Sequence, residues 1–348
     1  MTSDTTEIDM TTMEMKTRTG QMLVDNIEVY NCSQIDTERA AIRFEQALTL
    51  HQRVTNSSFH DGLGWGGRVI DSKNIQMDDN IFFSFRPVGV GIDSTQNMTF
   101  NNNFVGGTVE RTTFESLDQK VDKAGLVCVC SLALSKCEDV YVTNNIAAGG
   151  IFSGFVVPGH ECGDYENSKF YGNTAHSIGG PKMGTGITYY SDENVPSHAK
   201  CVEGSFNVAY KNYYQGVYHY SPTLHIKITS HTLLDNRNGF GASMQVDAYQ
   251  PTEYGDVIIE LNDNTIYGEI EADDCPADGS FCKPVEKYGF IMNGATHAGK
   301  DVHIEDMSPL PMPKIKSLSV WGTKVWLYRN HWIGFDKSTK EGMRQSVM

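Results

Sequence analysis

The 348-residue chain is long enough for two or three ordinary domains, or for one repeat body that grows by adding units. A content of 39% hydrophobic and 20% charged residues excludes a disordered or fibrous chain. The formal net charge of −15 excludes nucleic acid as a partner and suits a cationic partner or Ca²⁺.

Residues 1–20 are polar and acidic and read as a leader or partial cap, without the apolar core that a signal peptide needs. No apolar run of about 18 residues marks a membrane-crossing helix. Eight cysteines and three glycosylation sequons, at Asn31, Asn56 and Asn97, favour an excised piece of a longer secreted or membrane-anchored protein over a cytosolic one.

Order begins near Gln21. The stretch 22–30 alternates from Val24 on as a strand and turns at Asn31; residues 40–44 and 53–59 follow as further short strands. The glycine-rich segment 61–67 reads as a tight corner, because no Gly-Lys-Ser/Thr follows and no helical pattern opens after it.

Residues 74–107 then state one pattern twice. Ile75 and Met77 lead to Asn80, and 23 positions later Met98 and Phe100 lead to Asn103. The unit recurs before Asn145, Asn173, Asn264 and Asn330. Self-similarity near two dozen residues, built from short strands and turns, predicts an all-β fold: a right-handed parallel β-helix over residues 21–335 as one domain. Stacked coils lie about 4.7–4.9 Å apart, so an Asn at each bend meets its own copies and forms a ladder, as in cross-β stacks. The alternative is that Asn serves only as a good turn residue.

Departures from the period predict insertions near 107–136, 181–200, 269–283 and 305–316, the first with a polar part suited to a helix or flap. Residues 336–348 read as a charged tail. Between 206 and 220 the chain turns aromatic. Tyr210, Tyr213, Tyr214 and Tyr218 suggest a stacking platform for sugar rings, with an aromatic stack inside the solenoid as the alternative. Cys275 and Cys282 are expected to pair across an acidic loop, and Cys162 with Cys201. Asn97 is expected at an exposed turn, open to glycosylation, and Asn56 in the ladder and shielded by folding.

No catalytic constellation is specific. The segment 160–164, His-Glu-Cys-Gly-Asp, lacks the second cysteine pair of a zinc deaminase and the spaced histidines of a zincin. Cys128, Cys130 and Cys137 have the wrong spacing for a zinc knuckle. The carboxylates Asp61, Asp71, Asp78, Asp79 and Asp93 follow no paired motif, whereas glycoside hydrolysis needs two at a defined separation. No catalytic or metal-binding residue is therefore expected, and no cofactor.

Six stretches resemble a known family: residues 18–34, 54–83, 154–162, 170–176, 225–236 and 288–293. They are similar to the β-helix region of the fibrocystin family, in particular its fibrocystin-L branch. The resemblance implies part of a large glycosylated cell-surface protein associated with cilia and related protrusions. On that reading the chain is a structural module whose partners are other extracellular proteins or copies of itself. The alternative is a polysaccharide-binding or polysaccharide-cleaving protein, because a cell-surface hyaluronidase group shares a similar β-helix. No hyaluronidase motif matches position by position, so the resemblance assigns no catalytic residue.

Overall fold

The computed structural model describes residues 4–9, 14–34, 39–108, 124–129, 139–157, 160–162, 169–179, 184–190, 202–220, 225–244, 257–268, 288–294 and 323–333. They wind as a right-handed parallel β-helix. Each coil contributes one strand to each of three faces. The third coil, for example, runs Lys73–Asp78, Ile81–Phe83 and Val90–Asp93.

The second face is one ten-stranded sheet and the third is nine-stranded. The first face divides into six-stranded and five-stranded sheets. It breaks where the short strand His160–Glu161 pairs antiparallel with Val202–Ser205 and takes the position of a coil strand.

Alternation decides what enters the core. Ile75 and Met77 point inward beneath Met98 and Phe100, while Gln76 and Thr99 between them face out. Like therefore stacks on like where register allows: Phe82 lies over Phe59 on the second face with centroids 5.1 Å apart, and Phe100 meets Phe82 from the first face at 6.4 Å. Burying each such side chain contributes about 1.5–3 kcal/mol.

The bends require a left-handed backbone. At the corner between first and second faces, Asn26, Asn56, Asp79, Asn102 and Asn144 all have φ between 49° and 59°. Asn and Asp tolerate that region best among residues with a Cβ.

Three expectations are corrected. Ala124–Val129 lies within the first expected insertion yet pairs on both sides as a third-face strand. Thr185–Tyr190 does the same within the second. Residues 65–67, the end of the segment 61–67 read as a tight corner, already belong to the third-face strand Trp65–Ile70. Counting from Asn to Asn finds the first two faces and passes over the third.

In the leader, Thr5–Asp9 and Glu14–Arg18 pair as an antiparallel hairpin. Asp4 anchors the start of this segment, its carboxylate accepting from the backbone of Leu48 and Thr49. The expected insertions at 269–283 and 305–316 and the tail lie outside the described residues.

Gly89, Gly125, Gly154, Gly186 and Gly216, each at or beside the first residue of a third-face strand, form a column in which an added Cβ would meet the carbonyl of the next glycine. At Gly186 that Cβ would sit 2.7 Å from the Gly216 carbonyl and 3.0 Å from Ala209 Cβ. Gly186→Ala is expected to cost about 1–3 kcal/mol through overpacking, read as a lower urea midpoint. An unchanged midpoint would contradict close packing of this column.

Candidate functional site

An amide ladder sets the position of every outward side chain. Asn80, Asn103, Asn145 and Asn173 are buried at the same corner of successive coils. Each donates Nδ2 to Oδ1 of the next, at 3.1 Å from Asn80 to Asn103 and 3.0 Å from Asn103 to Asn145. The same Oδ1 also accepts the preceding Asn's backbone N–H, at 2.9 Å for Asn80. Nδ2 further donates to a carbonyl one coil back, such as Val54 O from Asn80.

The ladder passes from Asn173 to Asn207 and ends with Asn264 donating to Asn330 at 2.9 Å. Partners lie 23, 42 and 66 positions apart in sequence. The intervening loops thus leave the contact intact.

Sequence reasoning missed two members. Asn207 follows Phe206, a residue rarely found at a left-handed bend with φ 54°, so the Asn-Asn signature is absent. At the next coil His231 stands in for Asn and donates its backbone N–H to Asn264 Oδ1 at 2.8 Å. Its Nδ1 faces the Thr229 carbonyl, which leaves Nε2 to accept from the buried Tyr189 hydroxyl at 3.1 Å. A second ladder, Asn212 to Asn236, bonds at 2.9 Å at the corner between second and third faces.

Asn56 is displaced from its expected place. Ser57 occupies the ladder position beneath Asn80, and Asn56 lies exposed at the left-handed bend, bonded to Asp25 at 3.0 Å. Asn97 is exposed, with Nδ2 bonded to Asn74 Oδ1. Cys162 is disulfide-bonded. Cys201, Cys275 and Cys282 lie outside the described residues.

The four tyrosines do not form one platform. Tyr210 is on the second face, stacked on His176 at 4.7 Å. Tyr213 is exposed, and Tyr214 lies under the Arg237 guanidinium at the corner beyond. Tyr218 is buried on the outer side of the third face. Alternation and an intervening bend send neighbours in sequence to different surfaces.

Acid and base groups meet outside the first face. Register aligns Glu203, Lys227 and Glu260 on consecutive coils. Lys227 Nζ lies 3.1 Å from the fully buried Glu203, and His225 Nε2 lies 2.9 Å from Glu260. The His225 hydrogen bond holds the Glu260 carboxyl below its ordinary range. Each carboxylate is matched by a base, so the group clamps three coils, with Glu203 fully enclosed.

The single carboxylates have local partners too. Asp61 bonds to His60, Asp78 accepts from the backbone of Asn101, Asp79 from Asn102, and Asp93 from Ser94. Burial, reinforced by Asp93 and Glu45, raises the Asp71 carboxyl.

The second face is the open one. From Ile81 to Tyr267 its strands place no Asp, Glu, Lys or Arg at an outward position. Ile81, Phe83 and Ile146 are exposed there, and Phe104 stacks on Phe83. Toward the N-terminal end Tyr30 stacks on His60, which is held between Glu28 and Asp61.

Two core histidines make the fold acid-sensitive. Burial pushes His219 down to about 3 and His231 down to about 4. Both are neutral when folded and take up protons once unfolded, near the ordinary histidine value of about 6.5. Their stabilisation is complete above that value and is lost as pH falls toward 4. His231→Asn keeps the ladder position and removes one such group, so its urea midpoint is expected to fall less steeply between pH 6.5 and 4. Equal slopes for both proteins would contradict a buried neutral His231.

No protein-family model matches the chain. Fibrocystin from the dog, Canis lupus familiaris, is 26% identical over 264 residues, covering 74% of this chain and 6% of fibrocystin. The chain thus spans a small part of that protein's length. Among solved structures, the periplasmic alginate epimerase AlgG aligns with a TM-score of 0.44 at 13% identity, over 90% of this chain and 60% of its own. The A-module of mannuronan C-5 epimerase AlgE4 from Azotobacter vinelandii aligns at 0.32 and 16% identity, over 86% and 62%. Overlaps this loose carry nothing about substrate.

Proposed function

We propose that this fibrocystin-like β-helix is a structural and interaction module of a large extracellular cell-surface glycoprotein, in the setting of a cilium or surface coat. The observation that carries the reading is the second face: continuous over ten strands, with no Asp, Glu, Lys or Arg within its strands from Ile81 to Tyr267, in a chain of net charge −15. Exposed Ile81, Phe83 and Ile146 supply the apolar contact area on which protein interfaces depend. Such a surface suits another extracellular protein or a second copy.

The disulfide at Cys162 and the accessible sequon Asn97 support an oxidising, extracellular setting. The acidic excess supports Ca²⁺ or a cationic partner over an anionic polymer. Anchoring to a membrane would come through the rest of a parent chain.

A second reading is glycan binding, favoured by the His176–Tyr210 stack on the second face. Cleavage of a glycan would need an acid and a base or nucleophile held across a cleft. Glu203 and Glu260 are instead engaged by Lys227 and His225.

Purified chain incubated with hyaluronan, pectin and neutral glycans, with and without Ca²⁺, is expected to leave their chain lengths unchanged. Reproducible shortening that disappears when one carboxylate is changed to its amide would replace the module reading with an enzymatic one.

A further inference from the structure

His60 is gripped from two coils at once. Its Nδ1 lies 2.8 Å from Oδ2 of Asp61, the next residue in the chain, and its Nε2 lies 3.0 Å from Oε1 of Glu28 on the neighbouring coil. The Tyr30 ring stacks on the imidazole with centroids 5.8 Å apart. Both outward side chains of the strand Glu28–Tyr30 therefore meet this one histidine.

That strand is shallowly set. It stands last in the order of the ten-stranded sheet, with Glu28 and Tyr30 exposed and Val29 only half-buried, whereas the next strand, Ser58–His60, buries Phe59 completely. Contacts on its outer side thus carry more of its attachment than they would deeper in the solenoid.

How firmly they hold depends on the protons on the ring. An imidazolium has two N–H donors, one for each carboxylate, whereas a neutral imidazole has one. In the neutral form one carboxylate faces a ring lone pair, and Glu28 and Asp61 repel each other across an uncharged ring. The hydrogen bonds to Asp61 and then to Glu28 raise the His60 pKa above its ordinary value. Besides the two carboxylates and Tyr30, the neighbours are Phe83 and Ser84 on the coil beyond and the Cys32 thiol near Asp61, which burial and Asp61 push up.

We propose that Glu28, His60 and Asp61 form a pH-sensitive clasp that fastens the strand Glu28–Tyr30 to its neighbour when His60 is protonated and releases it when the ring is neutral. The direction follows from the raised value. With both carboxylates ionised, the contribution of the clasp is complete below about 6.5, the ordinary histidine value, and is lost as pH rises through the higher value of the folded chain. Opening leaves this end of the second face with one more negative charge. The clasp is independent of docking on that face, because all its contacts lie within the chain.

The test follows the full chain by NMR, reading the His60 ring Cε1–H shift against pH. At about pH 6 and about pH 8, on either side of the titration, it also reads the protection of backbone amides along Glu28–Tyr30, corrected for intrinsic exchange rates. His60 is expected to titrate above the ordinary histidine value in the unaltered chain and closer to it in Glu28→Gln. Protection is expected to be roughly two- to fivefold lower at the higher pH, the size that an exposed pair supports. That difference should vanish in Glu28→Gln and in His60→Gln, whose amide does not titrate. The proposal is overturned if His60 titrates at or below the ordinary value in the unaltered chain, or if protection there is equal at both pH values. It is equally overturned if Glu28→Gln keeps the whole difference.

Discussion

The structure depends on one interaction: a planar amide that spans the distance between coils and bonds to its copy above. Asn80, Asn103 and Asn145 each satisfy a backbone N–H and a backbone carbonyl that the bend removes from the sheets. A sharp, buried bend would otherwise leave those groups unpaired, at about 1–3 kcal/mol each. The left-handed residue before each ladder Asn follows from the same need, since the backbone must reverse there to turn the amide inward. With the corner fixed, the strands on both sides stay in register, so that Phe82 stacks on Phe59 within the second face and meets Phe100 from the first.

Fixing the corners frees the rest of the coil. The ladder crosses from Asn103 to Asn145 although 42 positions separate them in sequence. Each face can therefore be put to a different use. Ion pairs between Lys227 and Glu203 and between His225 and Glu260 clamp the first; the second stays bare and uncharged; the third is buried on its outer side around Tyr218. Where His231 replaces Asn, the ladder continues through the backbone N–H, and the ring turns to Tyr189 instead. That exchange leaves a neutral imidazole in the core and ties the solenoid's integrity to pH.

The fold was legible because a period-two triplet followed by Asn is a strong local signal, and stacking gives it a physical reason to recur. The third face was not, because most of its strands carry near their start a glycine whose role appears only when Gly154 meets Gly186 on the next coil. A repeated Gly followed by an apolar residue, as at Gly125-Leu126, Gly154-Phe155, Gly186-Ile187 and Gly216-Val217, was the available sign. Asn207 and His231 escaped for a similar reason: Phe206 and Ser230 hold their left-handed bends without an Asn or Asp. Density of tyrosines in sequence is not nearness in space, because alternation and the bends of a coil send neighbours to different surfaces. Charge pairing outside the first face is a matter of cross-coil register, and no local spacing announces it.

Residue-resolved hydrogen exchange on the unaltered chain and on Asn103→Ala addresses the ladder most directly. Removing that side chain takes the acceptor from the Asn80 backbone N–H and the donor from Asn145 Oδ1. Exchange should quicken at Asn80 and along Lys73–Asp78 and Gln96–Asn101, the strands on either side of the lost contact. Protection that is unchanged at all three places would mean that the coils hold their register without the amides, and would contradict the account.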